Sequence, residues 1–150
     1  MAEPTPLAAA SLDSQRLPEV SFIGRGISWP MGVDHTGALR MSEGPADLDR
    51  SIRVVIATAP GERVMRPEFG CRVWELLFEP VTANLVGQMA QAVRDALAQW
   101  EPRVTVEDVE VRPDDDDHAL VHIVVRYVIK STNDKRNLVY PFYVIPREED

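Results

Sequence analysis

An α+β fold is what this sequence predicts, and three observations carry it. Residues 82–100 place apolar side chains at helical spacing, the apolar period changes from 3.6 to 2 after Pro102, and the runs that follow read as an antiparallel meander. A run of helix followed by a run of strands packs as one sheet against helices. The expected architecture is a small antiparallel three-stranded C-terminal sheet packed on a long amphipathic helix, preceded by an N-terminal helix and a loop-rich hairpin. A length of 150 residues matches one domain, and 45% hydrophobic with 27% charged residues is ordinary for a folded chain.

Residues 1–20 carry Pro4, Pro6 and Pro18 without sustained periodicity, which predicts a flexible N-terminal arm ahead of a single domain over 21–150. From Gly24 to Ser42, glycines at 24, 26, 32 and 37 punctuate short apolar pieces, and Asp34-His35-Thr36-Gly37 predicts a turn between extended segments. Pro45 suits a first helical turn, and Leu48, Ile52, Val55, Ile56 and Ala59 share a helical face, so a helix is expected from about Pro45 to Thr58. Its β-branched cluster of Ile52, Val54, Val55 and Ile56 works against it, because such side chains lose rotamer freedom in a helix.

Pro60-Gly61 ends that helix, Glu62 to Gly70 reads as an ordered irregular loop, and a short helix is expected from Cys71 to Phe78. After Pro80, Thr82 is the expected N-cap of the long helix to Trp100, with Leu85, Val86, Met89, Val93, Leu97 and Trp100 in one stripe. Three strands follow, over Val104 to Arg112, Leu120 to Lys130 and Leu138 to Ile145. Val104 and Val106 are out of phase with Val109 and Val111, which predicts a bulge near Glu107-Asp108. In the second strand Val121, Ile123, Val125, Tyr127 and Ile129 should face the helix. Pro141 cannot donate to a ladder and marks the third strand as an edge, and therefore a docking surface.

Sixteen Lys and Arg stand against 24 Asp and Glu, a net charge of −8, so nucleic acid and anionic membrane surfaces are not expected partners and proteins are. No segment approaches 18 consecutive apolar residues, and the first residues lack the basic and apolar regions of a secretory signal. A single cysteine, Cys71, excludes an internal disulfide and suits the cytoplasm.

His35, His118 and His122 share no metal-ligand spacing, and Asp114 to Asp117 lacks the alternating ligands of a calcium loop, so neither a metal nor a cofactor is expected. Gly24-Arg25-Gly26 lacks the strand and helix context of a phosphate cradle, and no nucleophile elbow is present. The sequence predicts no enzyme. One local feature stands out: Glu101 sits at the negative end of the long helix, Pro102 stops that helix, and Arg103 is near enough to answer the charge. The triplet is either a rigid corner with a local ion pair or a paired acid and base that grips a partner.

Glu101-Pro102-Arg103, between a long amphipathic helix and a strand, resembles the signature of the phage-type baseplate wedge family of contractile injection systems. That family includes sheath-initiating proteins of contractile phage tails and the wedge subunits of type VI secretion and of extracellular tail-like particles. Further matches stand upstream in order: Gly26 to Pro30, the Asp34 to Gly37 turn, Ile52 to Thr58, Pro60-Gly61-Glu62-Arg63, and Arg66-Pro67-Glu68-Phe69-Gly70. The resemblance covers about residues 22–145, with Trp29 and Cys71 as departures.

The resemblance implies an inner-baseplate subunit, in six copies around a ring, that is assembled in the cytoplasm into a tail-like particle and partners wedge proteins and the contractile sheath protein. It assigns wedge contact to Glu101, Pro102 and Arg103, a family loop to Pro60, Gly61, Glu62, Arg63, Pro67, Phe69 and Gly70, and sheath pairing to the edge strand of Leu138, Val139, Tyr140, Phe142 and Val144. Members of the family are often labelled lysozyme-like, which makes a muramidase with a raised Glu101 pKa the rival reading. A free-standing adaptor that binds peptides by strand addition is a third.

Overall fold

A computed structural model describes residues 23–117 and 119–145. The arm expected over residues 1–20 and the side chain of His118 lie outside the described residues. Two short antiparallel strands, β1 (Arg25–Ile27) and β2 (Met41–Glu43), form the base of the hairpin, with Arg25 opposite Glu43 and Ile27 opposite Met41. Farther out, Val33 and Leu39 bridge, and the Asp34 carboxylate accepts from the Thr36 amide and hydroxyl and from the Ala38 amide, closing the expected turn.

Helix α1 (Pro45–Ala57) starts with its proline in the first turn after Gly44 at φ 62°. Leu48, Ile52, Val55 and Ile56 are buried, so tertiary packing overrides the weak propensity of the β-branched cluster. Thr58 is extended and its hydroxyl donates to the Val54 carbonyl at 2.6 Å, which places Ala59 beyond the helix.

The short helix expected over Cys71 to Phe78 is smaller and tighter: a 3-10 turn over Arg72–Leu76. Cys71 is held extended because its amide donates to the Thr58 carbonyl at 2.9 Å, so helix can begin only after it. Within the turn, Trp74 donates to the Ile56 carbonyl at 2.9 Å and packs edge-on against Phe142 at 5.0 Å.

Helix α2 (Ala83–Trp100) is capped as expected, the Thr82 hydroxyl accepting from the Leu85 amide at 3.2 Å. Leu85, Met89, Val93, Ala96 and Leu97 are buried, with Val86 and Trp100 at the margin of the core. The meander of β3 (Val104–Pro113), β4 (Leu120–Ile129) and β5 (Asp134–Tyr143) forms one antiparallel sheet in that order. The register shifts between Val106 and Asp108, the bulge that the broken alternation predicted.

The core-facing side of β4 is buried at every alternate position from Val121 to Ile129. Strand β5 begins four residues earlier than its apolar pattern indicated. Polar Asp134 to Asn137 extend the pairing with β4 back to the turn at Asn133, where φ is 55°. Val144 lies past the strand's end, although its amide still donates to the Ala119 carbonyl at 2.7 Å.

Candidate interaction groove

Where α2 stops, three charged side chains from distant parts of the chain meet. Glu101 caps the helix and is 2% exposed, a position where an unanswered carboxylate would be costly. Arg103 answers it with two parallel bonds, Nε to Oε1 and Nη2 to Oε2, both 2.6 Å. The same guanidinium uses Nη1 to reach Asp47 Oδ2 at 3.0 Å and the Ile23 carbonyl at 3.3 Å. Asp47, 3% exposed in the first turn of α1, also pairs with Arg50 and accepts from the Ser42 hydroxyl at 3.2 Å. Its position near the helix N-terminus is electrostatically favourable.

Burial pushes the Glu101 carboxyl up, but hydrogen bonds from Arg103 and Ser51 and the guanidinium charge outweigh it and hold the group below the usual glutamate range. Arg103 is correspondingly shifted up, first by its bond to Glu101, against the cost of burial. The corner is therefore charged at neutral pH. Glycines admit the hairpin onto it: a Cβ on Gly24 would lie 2.9 Å from Arg103 Nη1, and one on Gly26 would collide with the Asp47 and Arg50 side chains.

Beside this cluster opens a groove of about 740 Å³. The hairpin contributes Ile27, Trp29 and Met31, α1 contributes Arg50, Ser51 and Val54, the 60–70 loop contributes Glu62, Arg63 and Phe69, and the end of α2 contributes Trp100 and Arg103. Trp29 and Met31 are 69% and 65% exposed, so the hairpin wall is apolar and open. Arg103 keeps 35% of its side chain exposed, and the buried Nε of Arg50 has no hydrogen-bond partner among the described residues.

Two of the three residue sets singled out from the sequence thus converge. Pro102 forms the corner between Glu101 and Arg103, and Phe69 of the loop packs at a tilt against Trp100 with ring centroids 5.2 Å apart. Pro60, Gly61, Pro67 and Gly70 shape the loop behind them. The third set lies outside the groove. Leu138, Phe142 and Val144 are buried and Tyr140 is partly buried, leaving Val139, 45% exposed, as the one of these five edge residues whose side chain faces out.

Sequence reasoning missed Asp47, Arg50 and Ser51. The available signals were the acidic residue in the first turn of α1 and the Gly24 and Gly26 pair, whose glycines serve close approach. Cys71 is buried, and burial pushes its thiol up to about 11, so it is not a nucleophile at neutral pH. Among the described residues no three His, Cys, Asp or Glu side chains are grouped to hold a metal, and no helix is long and apolar enough to cross a membrane.

Comparison with known proteins places this geometry in context. The family model described as Baseplate wedge protein gp25 matches residues 42–134. The chain is similar to Baseplate wedge protein gp25 of Enterobacteria phage T4, with 30% identity over 104 residues that span 69% of this chain and 79% of the phage protein. Among solved structures it is similar to a Geobacter sulfurreducens protein named as a candidate tail lysozyme, at 39% identity and a TM-score of 0.63, over 66% of this chain and 89% of that one. A chain of the anti-feeding prophage baseplate shares the fold, with a TM-score of 0.60 at 21% identity, over 83% of this chain and 89% of that one.

Proposed function

This chain belongs to the family of Baseplate wedge protein gp25, and from that premise we propose that it is a structural inner-baseplate subunit joining the wedge core of a contractile tail-like particle to its first sheath ring. The observation that carries the reading is Arg103. Its inner edge is fixed by Glu101 and Asp47, while 35% of the side chain remains open beside an apolar groove. A fixed, half-exposed guanidinium next to Trp29 and Met31 suits a partner helix with an apolar face and an acceptor at its edge. Glu101, being buried, acts by holding Arg103 and does not itself touch the partner.

Strand β5 supplies the second surface. It is one of the two outer strands of its sheet, β3 being the other, and among the described residues no strand pairs with its free side, which suits strand addition by the sheath protein. The anti-feeding prophage baseplate, reconstructed with six-fold symmetry, supports six copies per particle. The subunit does no covalent work in this account; it transmits rearrangement of the wedge to the sheath.

Co-purification from the producing cells tests the assignment. Wild-type chain should bring down wedge and sheath proteins, and Arg103→Lys should lose the wedge protein while keeping the sheath. Undiminished recovery of both would count against the groove.

The name of the 39%-identical Geobacter protein favours a second reading, a peptidoglycan-cleaving muramidase. That chemistry needs a general acid with a raised pKa, whereas Glu101 is held low and sealed behind Arg103. Clearing of a peptidoglycan suspension by the purified chain, abolished by Glu101→Gln, would establish the muramidase; no clearing is expected.

A further inference from the structure

The loop of residues 60–70 has no part in the two contacts above beyond lining the groove, yet it is heavily braced. Gly61 donates its amide to the Pro67 carbonyl at 2.6 Å, and the Glu62 carboxylate accepts from the Ala59 amide at 3.0 Å. Arg66 and Phe69 donate their amides to the carbonyls of Arg63 and Arg66 at 3.1 and 3.0 Å. The Arg63 guanidinium lies 3.9 Å over the Phe69 ring, which itself packs at a tilt against Trp100. Gly70 takes φ 127°, where any Cβ would run into the Thr58 carbonyl. The side chains and glycines of the family motif are thus spent on holding the loop's shape.

What that shape displays is apolar. Val64 and Met65, at the tip, are 93% and 91% exposed, more than any other large hydrophobic side chain among the described residues. Single exposed apolar residues are common on protein surfaces, but two adjacent ones on a preformed loop are different. The ordering entropy that binding normally costs has already been met in folding.

The charges beside the tip are also selective. Arg63 and Arg66 flank it, both exposed, with Arg63 leaning over the Phe69 ring and neither in an ion pair among the described residues. The nearby glutamates stand farther from the tip, Glu62 turned back to the Ala59 amide and Glu68 lining a separate hollow with Gly70 and Arg72. A chain of net charge −8 repels acidic surfaces in general, so the two arginines that stand directly beside the tip mark where one can approach.

The geometry points to Val64 and Met65 as an apolar plug that inserts into a hydrophobic socket with an acidic rim on a different protein of the baseplate. The proposal rests on the assembly reading above and adds a contact separate from Arg103 and from β5. Arg63 and Arg66 set its register, and the braced loop keeps the plug extended before the partner arrives.

Particles purified from the producing cells provide the test, with a benzophenone photocross-linker introduced at position 65. The expected result is a cross-link to another protein, within a segment of apolar residues flanked by Asp or Glu. A Val64→Asp, Met65→Asp double variant should melt like wild type, because its side chains touch no core, and should enter particles at least about tenfold less well, equivalent to about 1.4 kcal/mol. Arg66→Glu should reduce entry several-fold.

A cross-link only to a second copy of this chain, cross-linking to no protein, or normal entry of the double variant would overturn the plug while leaving the assembly reading intact. Absence of the wild-type chain from particles would overturn the assembly reading and the plug with it.

Discussion

Two sets of arginine–carboxylate pairs lie close together along this chain, and burial separates their consequences. At the end of α2, Glu101 and Asp47 are 2% and 3% exposed and share one guanidinium. On the outer face of the sheet, Asp108 and Glu110 pair with Arg94, Arg112 and Arg126, at distances of 2.6–3.3 Å that match those of the corner, but every side chain there is 37–60% exposed. Similar bond lengths therefore carry different energies. In the corner a lost partner strands a charge away from water, whereas on the sheet face water replaces it. The buried set can hold a hairpin, a helix end and a groove wall in one arrangement, and the exposed set contributes solubility and little else.

Removing an arginine from each set makes the difference measurable. Arg103→Ala strips buried Glu101 of its guanidinium and leaves buried Asp47 with Arg50 alone, and should lower unfolding free energy by about 3 kcal/mol in denaturant titration. Arg103→Lys, a point charge that cannot bond both oxygens of Glu101 and also reach Asp47, should recover only part of that loss.

Glycines sharpen the contrast next. Gly24 and Gly37 both have positive φ, 124° and 84°, but only Gly24 is crowded, with Arg103 Nη1 2.9 Å from a prospective Cβ and nothing within 4 Å at Gly37. Both alanine variants meet backbone strain of about 1 kcal/mol, and Gly24→Ala should exceed Gly37→Ala by a further ~1 kcal/mol in the same assay.

Acid unfolding separates the sets by another route. The folded-state pKa of Glu101 lies below its ordinary value of 4.5, so its contribution is complete above about pH 4.5 and disappears as pH falls through the depressed folded value. Glu110 is also lowered, first by its bond to Arg112, but it is open to solvent. In high salt the exposed pairs are screened and the buried one is not. The acid limb of stability in salt should therefore flatten in Glu101→Gln and change little in Glu110→Gln. The smallest effect is expected for Arg126→Ala, about 0.5 kcal/mol or less by thermal melting.

How much of this was legible in the sequence follows the range of the interactions. Local periodicity located α1, α2 and the three strands, and the phase break at Glu107-Asp108 located the bulge. Local pattern failed where a distant partner decides. Cys71 is drawn out of helix by Thr58, and the polar start of β5 is paired because β4 lies beside it. At the corner, the helix-end rule identified the Glu101 and Arg103 pair, because the two residues are neighbours in sequence. Asp47 stayed hidden, since it meets Arg103 across 56 residues and no spacing rule reaches that far. The bond from the Tyr127 hydroxyl to Asp49, which ties α1 to the sheet, was hidden for the same reason.

A cryo-EM reconstruction of the assembled particle would show what sits in the groove and along β5. Six copies of this chain are expected in the inner baseplate, each with a helix of a wedge protein seated against Trp29 and Arg103 and a sheath strand running along β5. A chain found in the particle with its groove empty and β5 facing solvent, or a chain missing from the particle altogether, would contradict that expectation.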